Sequence, residues 1–551
     1  MMRLRIVWFL LLCSMVAAGI TAAQDTPRYA VATHYPAFGG VEPAPRDTIT
    51  ASYGVYNNRE TDYQAVTEER AQEVLAQIED ETGLPVLMYN DWDAVQEDSP
   101  ALQIVNNVPV EGALYTIFLP PGWTRTLKLP IVLSGNGAGT SNNRRFFGDP
   151  EIILPRLVAA GAGGGAGFIA AMSNAGGTES QGIDENTYRS VGAFLNWLDE
   201  NGGDKYRVVT AGGSRGGGSA LMWAINPLDL DYNVVAVFAE VPPTHYGTLS
   251  QVSPMTFPSM ASIGTLVSGD ENAWRYDNDG LRPGMNPSPF MEILIGKGVP
   301  EEADAISPVG LAEKLRGKKI VISEGAHDAF FPLSPFLAFD RRLTELGIPH
   351  AALVTLASGH EMHDFWMQQV TLYLLALARG VDLPVVTGRY YFIDVNPKAD
   401  EQMSLVDFFR QQDIGDDPGQ LPVIARFPYR AGVGLPFNVE ICGTPGDTVE
   451  LTARGADGTE LYRYAGTLDQ NECHFEALTL DAPPGEYAWS LVVNGQDVNP
   501  RNTPTRGADG CGVRAVTFVT EEQPEPAALY AFNHDMSFGL DEYSGQPTDC
   551  G

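Results

Sequence analysis

One serine sits where the chain can make it reactive. Tyr206 to Ala224 reads YRVVTAGGSRGGGSALMWA. The β-branched run Val208-Val209-Thr210 predicts a strand, and Ala220 to Ile225 predicts a helix. Between them Gly212-Gly213-Ser214-Arg215-Gly216 has the form G-x-S-x-G. On a sharp strand-to-helix turn this pattern lifts a serine Oγ out of the sheet edge. Small residues two before and two after the serine let the two segments pack that closely. The helix that follows aims its free N–H groups at the same point and favours developing negative charge there. The chain holds 58 glycines, so a purely structural Gly-rich turn is the competing reading; the flanking strand and helix tell against it.

A serine hydroxyl is a weak nucleophile. It needs a base, and the base needs a group that orients it. Ile320 to Glu324 predicts a strand that runs into Gly325-Ala326-His327-Asp328-Ala329-Phe330-Phe331-Pro332. Asp328 on that loop is the expected acid, with a helix-cap role as its alternative. Glu324 lies too near the strand proper, and His327 reads as a structural or pocket residue. Ala352 to Leu356 predicts the next strand, which ends in Ala357-Ser358-Gly359-His360. His360 is the expected base, and His363 is its rival. His360-Glu361-Met362-His363 lacks the spacing of the H-E-x-x-H zinc site, so metal catalysis is not expected.

The oxyanion of an acyl transfer needs two fixed N–H donors. One is expected from Arg215. The other is expected from the loop after Leu129 to Leu133, at Asn136 or, second, Gly137; the competing reading is a plain tight turn. Aromatic residues near these loops, Phe330, Phe331 and Trp274, are candidate pocket walls. Phe365 and Trp366 open a helix and read as core. No cofactor is required.

The elements that must position these residues alternate. Strand-like Ala113 to Leu119, Leu129 to Leu133, Phe168 to Met172, Val234 to Val241, Lys319 to Ser323 and Ala352 to Leu356 are apolar. Helical segments such as Ile152 to Ala160, Tyr188 to Glu200, Pro335 to Leu346 and Asp364 to Arg379 lie between or after them. This predicts a mostly parallel α/β sheet with helices on both faces. From about Gly388 the pattern changes to short alternating runs: Tyr390 to Val395, Pro436 to Ile441, Thr448 to Ala453 and Tyr487 to Val493. Asp457-Gly458 and Asn494-Gly495 read as hairpin turns among them. That predicts a C-terminal all-β sandwich. The expected organisation is a signal peptide at 1–23, an N-terminal extension at 24–110 and a catalytic domain at 111–387. An insertion at 242–307 can serve as a lid or cap. A β-sandwich at 388–522 and a tail at 523–551 complete the chain.

The N-terminus has the form of a secretory signal: Arg3 and Arg5, an apolar run from Ile6 to Val16, then Thr21-Ala22-Ala23. The run is too short for a lasting membrane span. A formal net charge of −34 repels phosphate backbones, which excludes nucleic acid as an expected partner. Cys442, Cys473, Cys511 and Cys550 all lie late in the chain, and in a secreted protein they imply two disulfides with three pairings open.

From about Leu114 to Gly380 the chain resembles the α/β-hydrolase superfamily, especially secreted esterases and the catalytic domains of prolyl oligopeptidase-like enzymes. The motifs SGNGAG, GGSRGG, GAHDAFFP and SGH carry the resemblance, in that order. Ser134 stands where the family often has histidine. No N-terminal propeller repeats are visible. The resemblance implies a serine hydrolase, and because YTIFLPPGW resembles the same stretch of secreted esterases it implies a small-molecule or polymeric carboxylic ester as substrate. A peptidase is the alternative within the family. A non-catalytic binding protein on the same fold is the alternative outside it.

Overall fold

The computed structural model describes residues 68–111, 113–135, 153–163, 167–173, 185–249, 251–252, 300–326, 328, 330–355, 373–374, 376–381, 387–392, 421, 423–426, 430–434, 436–498 and 515–519. The strands of one large sheet are β1 (Val86–Tyr89), β2 (Leu102–Val110), β3 (Ala113–Leu119), β4 (Leu129–Gly135), β5 (Ile169–Ser173), β6 (Gly203–Gly213), β7 (Val234–Glu240), β8 (Lys319–Gly325), β9 (Ala351–Thr355) and β10 (Gly388–Phe392). Their order is β1-β2-β3-β5-β4-β6-β7-β8-β9-β10. From β5 to β10 every neighbouring pair is parallel, while β3 is antiparallel to both β2 and β5.

Strand residues alternate between two apolar layers. On one side Ile131, Leu133, Val208, Val237, Ile320, Ile322 and Val354 pack with helices α3 (Glu185–Glu200), α4 (Arg215–Ile225) and α7 (Leu333–Glu345). On the other, Val132, Val209, Phe238, Val321 and Leu353 pack with α1 (Glu68–Thr82) and α2 (Ile153–Gly163). A parallel sheet covered on both faces is apolar where it is buried on both sides, and residues 131–133, 208–209 and 320–322 of β4, β6 and β8 read that way in the sequence.

The sheet reaches past both expected boundaries of the catalytic region. β1 and β2 fall in the stretch expected as an N-terminal extension. β10 falls where the β-sandwich was expected to begin, yet it pairs in parallel with β9 from Gly388↔Ala351 to Phe392↔Thr355. Tyr391 packs into one apolar layer of the sheet and Tyr390 against the other. Two short helices, α5 (Tyr246–Leu249) and α6 (Pro300–Ala305), pack together at the two ends of the 242–307 insertion.

The later strands are β11 (Ile424–Arg426), β12 (Arg430–Gly432), β13 (Pro436–Cys442), β14 (Thr448–Gly455), β15 (Glu460–Thr467), β16 (Cys473–Thr479), β17 (Gly485–Val493), β18 (Gln496–Val498) and β19 (Ala515–Val519). They form a three-stranded sheet, β11-β13-β16, and a second sheet, β12-β19-β17-β14-β15, with β18 paired to β17. One buried cluster that includes Phe437, Val439, Ile441, Leu451, Tyr462 and Trp489 joins strands of both sheets. Asn494 and Gly495, between β17 and β18, have φ of 52° and 78°. Positive φ at both central residues is what the tight hairpin turn requires. Cys442 is bonded to Cys473, its cross-strand partner; Cys511 and Cys550 lie outside the described residues. Among the described residues no helix is long and apolar enough to cross a membrane.

Candidate active site

Ser214 is the single residue between β6 and α4, and its backbone has φ 56° and ψ −129°. A non-glycine residue there costs on the order of 1–3 kcal/mol and persists only where its surroundings enforce it. They do. The Ser214 N–H donates to the Glu240 carbonyl at 2.9 Å, and the Ser214 carbonyl accepts from Gly218 N–H at 3.1 Å. Val241, next after Glu240, also has positive φ, at 37°, and its N–H donates to the Ser323 carbonyl at 2.7 Å. For a β-branched residue that is a backbone outlier. The two strained residues thus meet across β6 and β7.

Glycine is obligatory at the crossing. A Cβ on Gly212 would stand 2.5 Å from the Gly216 carbonyl oxygen, and one on Gly135 would stand 2.6 Å from the same atom. Gly216 therefore lies against the C-terminal ends of both β6 and β4. The loop expected to hold the second oxyanion donor leaves from Gly135, so it starts in contact with the turn that carries Ser214. Asn136 and Gly137 themselves lie outside the described residues. Arg215, the expected first donor, opens α4, at the positive end of the helix dipole.

Asp328 is fully buried beyond the C-terminal end of β8. Its Oδ1 accepts from the backbone N–H of Phe330 at 2.6 Å and of Phe331 at 3.0 Å. Its own N–H donates to the Gly325 carbonyl at 3.1 Å. Just before it, Ala326 N–H donates to the carbonyl of Thr355 at 2.9 Å, which ties the acid loop to the end of β9. His360 follows β9 in the sequence and lies outside the described residues, as do His327, His363 and Trp274. Because β6, β8 and β9 all run parallel, Ser214, Asp328 and the chain leading to His360 emerge at one edge of the sheet. Glu324, the weaker acid candidate, is fully buried and accepts from Gly325 N–H at 3.2 Å.

Phe330 and Phe331 serve the site differently from the expectation. Their rings are 4% and 3% exposed and lie in the main apolar cluster, tilted with centroids 6.5 Å apart. What they turn toward the site is backbone N–H, on Asp328. At the neck of the insertion His245 Nε2 stands 3.3 Å from Asp304 Oδ1. Burial lowers the His245 pKa, against an opposing pull from Asp304.

Sequence reading missed the contribution of the β-region. Pro332 caps α7 and offers no side-chain acceptor, yet the first turn is not bare: Ser334 N–H donates at 2.8 Å to Oε1 of Glu440, on β13. A second link joins Asn438 Nδ2 to the Gln251 carbonyl at 2.9 Å. The signal was present as alternation. In PFNVEIC, Phe437, Val439 and Ile441 belong to the sandwich core, while Asn438, Glu440 and Cys442 turn to the other side. Buried polar residues on the second face of a strand mean that this face has a partner.

No protein-family model matches this chain, and no curated protein matches it. Among solved structures it is similar to puromycin hydrolase, at 19% identity and a TM-score of 0.34, over 52% of this chain and 41% of that one. The chain thus spans about two fifths of that protein's length. It is similar to a ferulic acid esterase at 19% identity and a TM-score of 0.33, over 50% of this chain and 98% of that one. It is also similar to a hyperthermophilic esterase from the archaeon Pyrobaculum calidifontis at 15% identity and a TM-score of 0.35, over 61% and 99%. By its sheet order, its two covered faces and its strained serine turn, the chain has the α/β-hydrolase fold, with separate β-sheets following it.

Proposed function

We propose that this protein is a secreted serine hydrolase that cleaves carboxylic esters through Ser214, Asp328 and His360. The observation that carries the reading is the backbone of Ser214, held at φ 56° on the turn into α4 by its bond to Glu240. Strain of this kind at the head of a helix is maintained where it aims a side chain at a substrate.

The mechanism follows from those positions. His360 takes the Ser214 hydroxyl proton as Oγ attacks the ester carbonyl carbon. Asp328 orients the imidazole and stabilises its cation. The N–H groups of Arg215 and of the Asn136 loop hold the oxyanion. The tetrahedral intermediate expels the alcohol, which leaves with the proton from His360. Water, deprotonated by the same histidine, then attacks the acyl-Ser214 carbonyl; the acyl–Oγ bond breaks, His360 returns the proton to Ser214 Oγ and the acid leaves. Trp274, on the insertion, walls an apolar acyl pocket.

A fluorophosphonate probe tests the reading, with the adduct located by mass spectrometry. Labelling on Ser214 together with turnover of p-nitrophenyl esters is the expected result. A folded protein that resists the probe is a binding protein on a hydrolase fold. Turnover of peptides with esters left intact makes it a peptidase.

A further inference from the structure

We infer that Glu440, in the β-region, is a positioning residue for Asp328, acting through the first turn of α7. The inference rests on the serine hydrolase reading above. Asp328 Oδ1 is fixed by Phe330 and Phe331 N–H. Both rings are locked in the main core. From there the chain passes through Pro332 and Leu333 to Ser334, whose N–H is held by Glu440. The acid loop is thus anchored at both ends: by the Ala326 to Thr355 bond before Asp328, and by Glu440 after it.

Three features make Glu440 more than a surface contact. It is 3% exposed, so its carboxylate is costly to bury without a designated partner. It meets the N-terminal end of a helix, where the dipole and an unbonded N–H both favour an anion, and a bond to an ionised acceptor is stronger than a neutral one. And α7 has no acidic residue in its own first turn and a proline at its cap, so the acceptor has to come from elsewhere.

The strand that brings Glu440 is held firmly against α7. Arg341 donates to the carbonyls of Gln470 and Asn471 at 3.2 and 3.0 Å. Arg389 joins Asp340 of α7 to Glu472 beside β16. The disulfide Cys442–Cys473 ties β13 to β16 just past Glu440. Through Glu440 the β-region therefore completes the acid arm of the site.

The test uses the full-length protein, p-nitrophenyl butyrate and three forms of position 440. Glu440→Met keeps the volume and removes both acceptors. Glu440→Gln keeps an acceptor for Ser334 N–H. The Met form is expected to lose kcat roughly ten- to a hundredfold with KM within about twofold, because a small misplacement of a catalytic group carries that penalty. Its acid limb of kcat/KM is expected to move to lower pH, since an imidazole whose carboxylate has shifted away is easier to deprotonate. The Gln form, which keeps an acceptor and loses the charge, is expected to fall between wild type and the Met form, about three- to tenfold below wild type with a smaller move of the limb. A folded Met form with wild-type kcat and an unmoved limb overturns the inference, because a merely structural cap would lower only the melting temperature. If the Met form does not fold, the Gln form decides alone, and wild-type kcat with an unmoved limb in it overturns the inference. Wild-type protein that neither turns over the ester nor takes the fluorophosphonate on Ser214 overturns the hydrolase reading itself, a result visible before any variant is compared.

Discussion

The backbone N–H of Phe330 donates to Oδ1 of Asp328 at 2.6 Å, and that of Phe331 donates to the same oxygen at 3.0 Å. Both of these donors fall on one oxygen, and a histidine N–H needs only the other. Asparagine at 328 can keep both backbone bonds through its own Oδ1. Asp328→Asn should therefore fold and melt like the wild type. It should nonetheless lose on the order of 10⁴ in kcat, because a neutral amide neither stabilises the imidazolium nor selects the productive tautomer. Steady-state kinetics beside a thermal melt separate the two effects. Near-wild-type kcat in this variant would remove Asp328 from the triad.

Ser214 is strained, and the strain can be measured once catalysis is set aside. Ser214→Ala and Ser214→Gly should both abolish turnover, but they should differ in stability. Alanine inherits the φ of 56° with its Cβ penalty, whereas glycine adopts it freely. Glycine also gains entropy in the unfolded chain, which opposes the relief. We expect relief to win, leaving the glycine form more stable than the alanine form by about 1 kcal/mol. Chemical denaturation of the two proteins measures the difference. An alanine form that is the more stable would mean that the turn is not held against its preference.

Much of the framework of the candidate site was legible in residue order, and the limits of that reading have physical causes. The run VVTAGGSRGGGSALMWA carries strand, turn and helix in adjacent residues, so the elbow is written locally. The position of Asp328 beyond the end of β8 was legible because the apolar strand before it is buried on both faces. Phe330 and Phe331 were not, because aromatic side chains wall pockets and fill cores with the same chemistry, and only their 4% and 3% exposure decides. Strand β2 escaped notice because Asn106-Asn107 and Pro109 interrupt its alternation. There the register with β3 shifts between Val105 and Val108, and Thr116 Oγ1 donates to Asn106 Oδ1 at 2.9 Å. Glu440 could not have been paired with Ser334 from sequence, since the two are 106 residues apart.

The disulfide between Cys442 and Cys473 closes a loop with a sequence separation of 31 residues. In the chain-entropy model a loop of that size stabilises by roughly 3–4 kcal/mol. Peptide mapping under non-reducing conditions should recover this pair. Cys442→Ser with Cys473→Ser should lower the denaturation midpoint of the β-region before that of the large sheet. A single transition that keeps its midpoint would show that the bond adds nothing to stability.

Asp340 joins α7 to β10 and to its own layer. His350 Nε2 stands 2.6 Å from its Oδ1, Arg389 Nε donates at 2.6 Å to its Oδ2, and the same arginine reaches Glu472. Burial alone would push this carboxyl up, but the His350 hydrogen bond and the Arg389 charge outweigh it and hold the pKa below the ordinary value. The sign follows. A carboxyl whose folded pKa is depressed adds stability that is fully present above its unfolded value, about 3.9, and is lost as pH falls through the folded one. Asp340→Asn leaves the half-buried Arg389 guanidinium with Glu472 as its remaining carboxylate, a loss of about 1–3 kcal/mol at neutral pH. Denaturant titrations of both proteins at pH 7, 5, 4 and 3 should show a constant gap down to about pH 5. The gap should narrow below about pH 4, as the wild-type carboxyl takes up the proton that the asparagine never needed. A gap that stays unchanged to pH 3 would mean that the ionised form of Asp340 contributes nothing to the docking of the β-region.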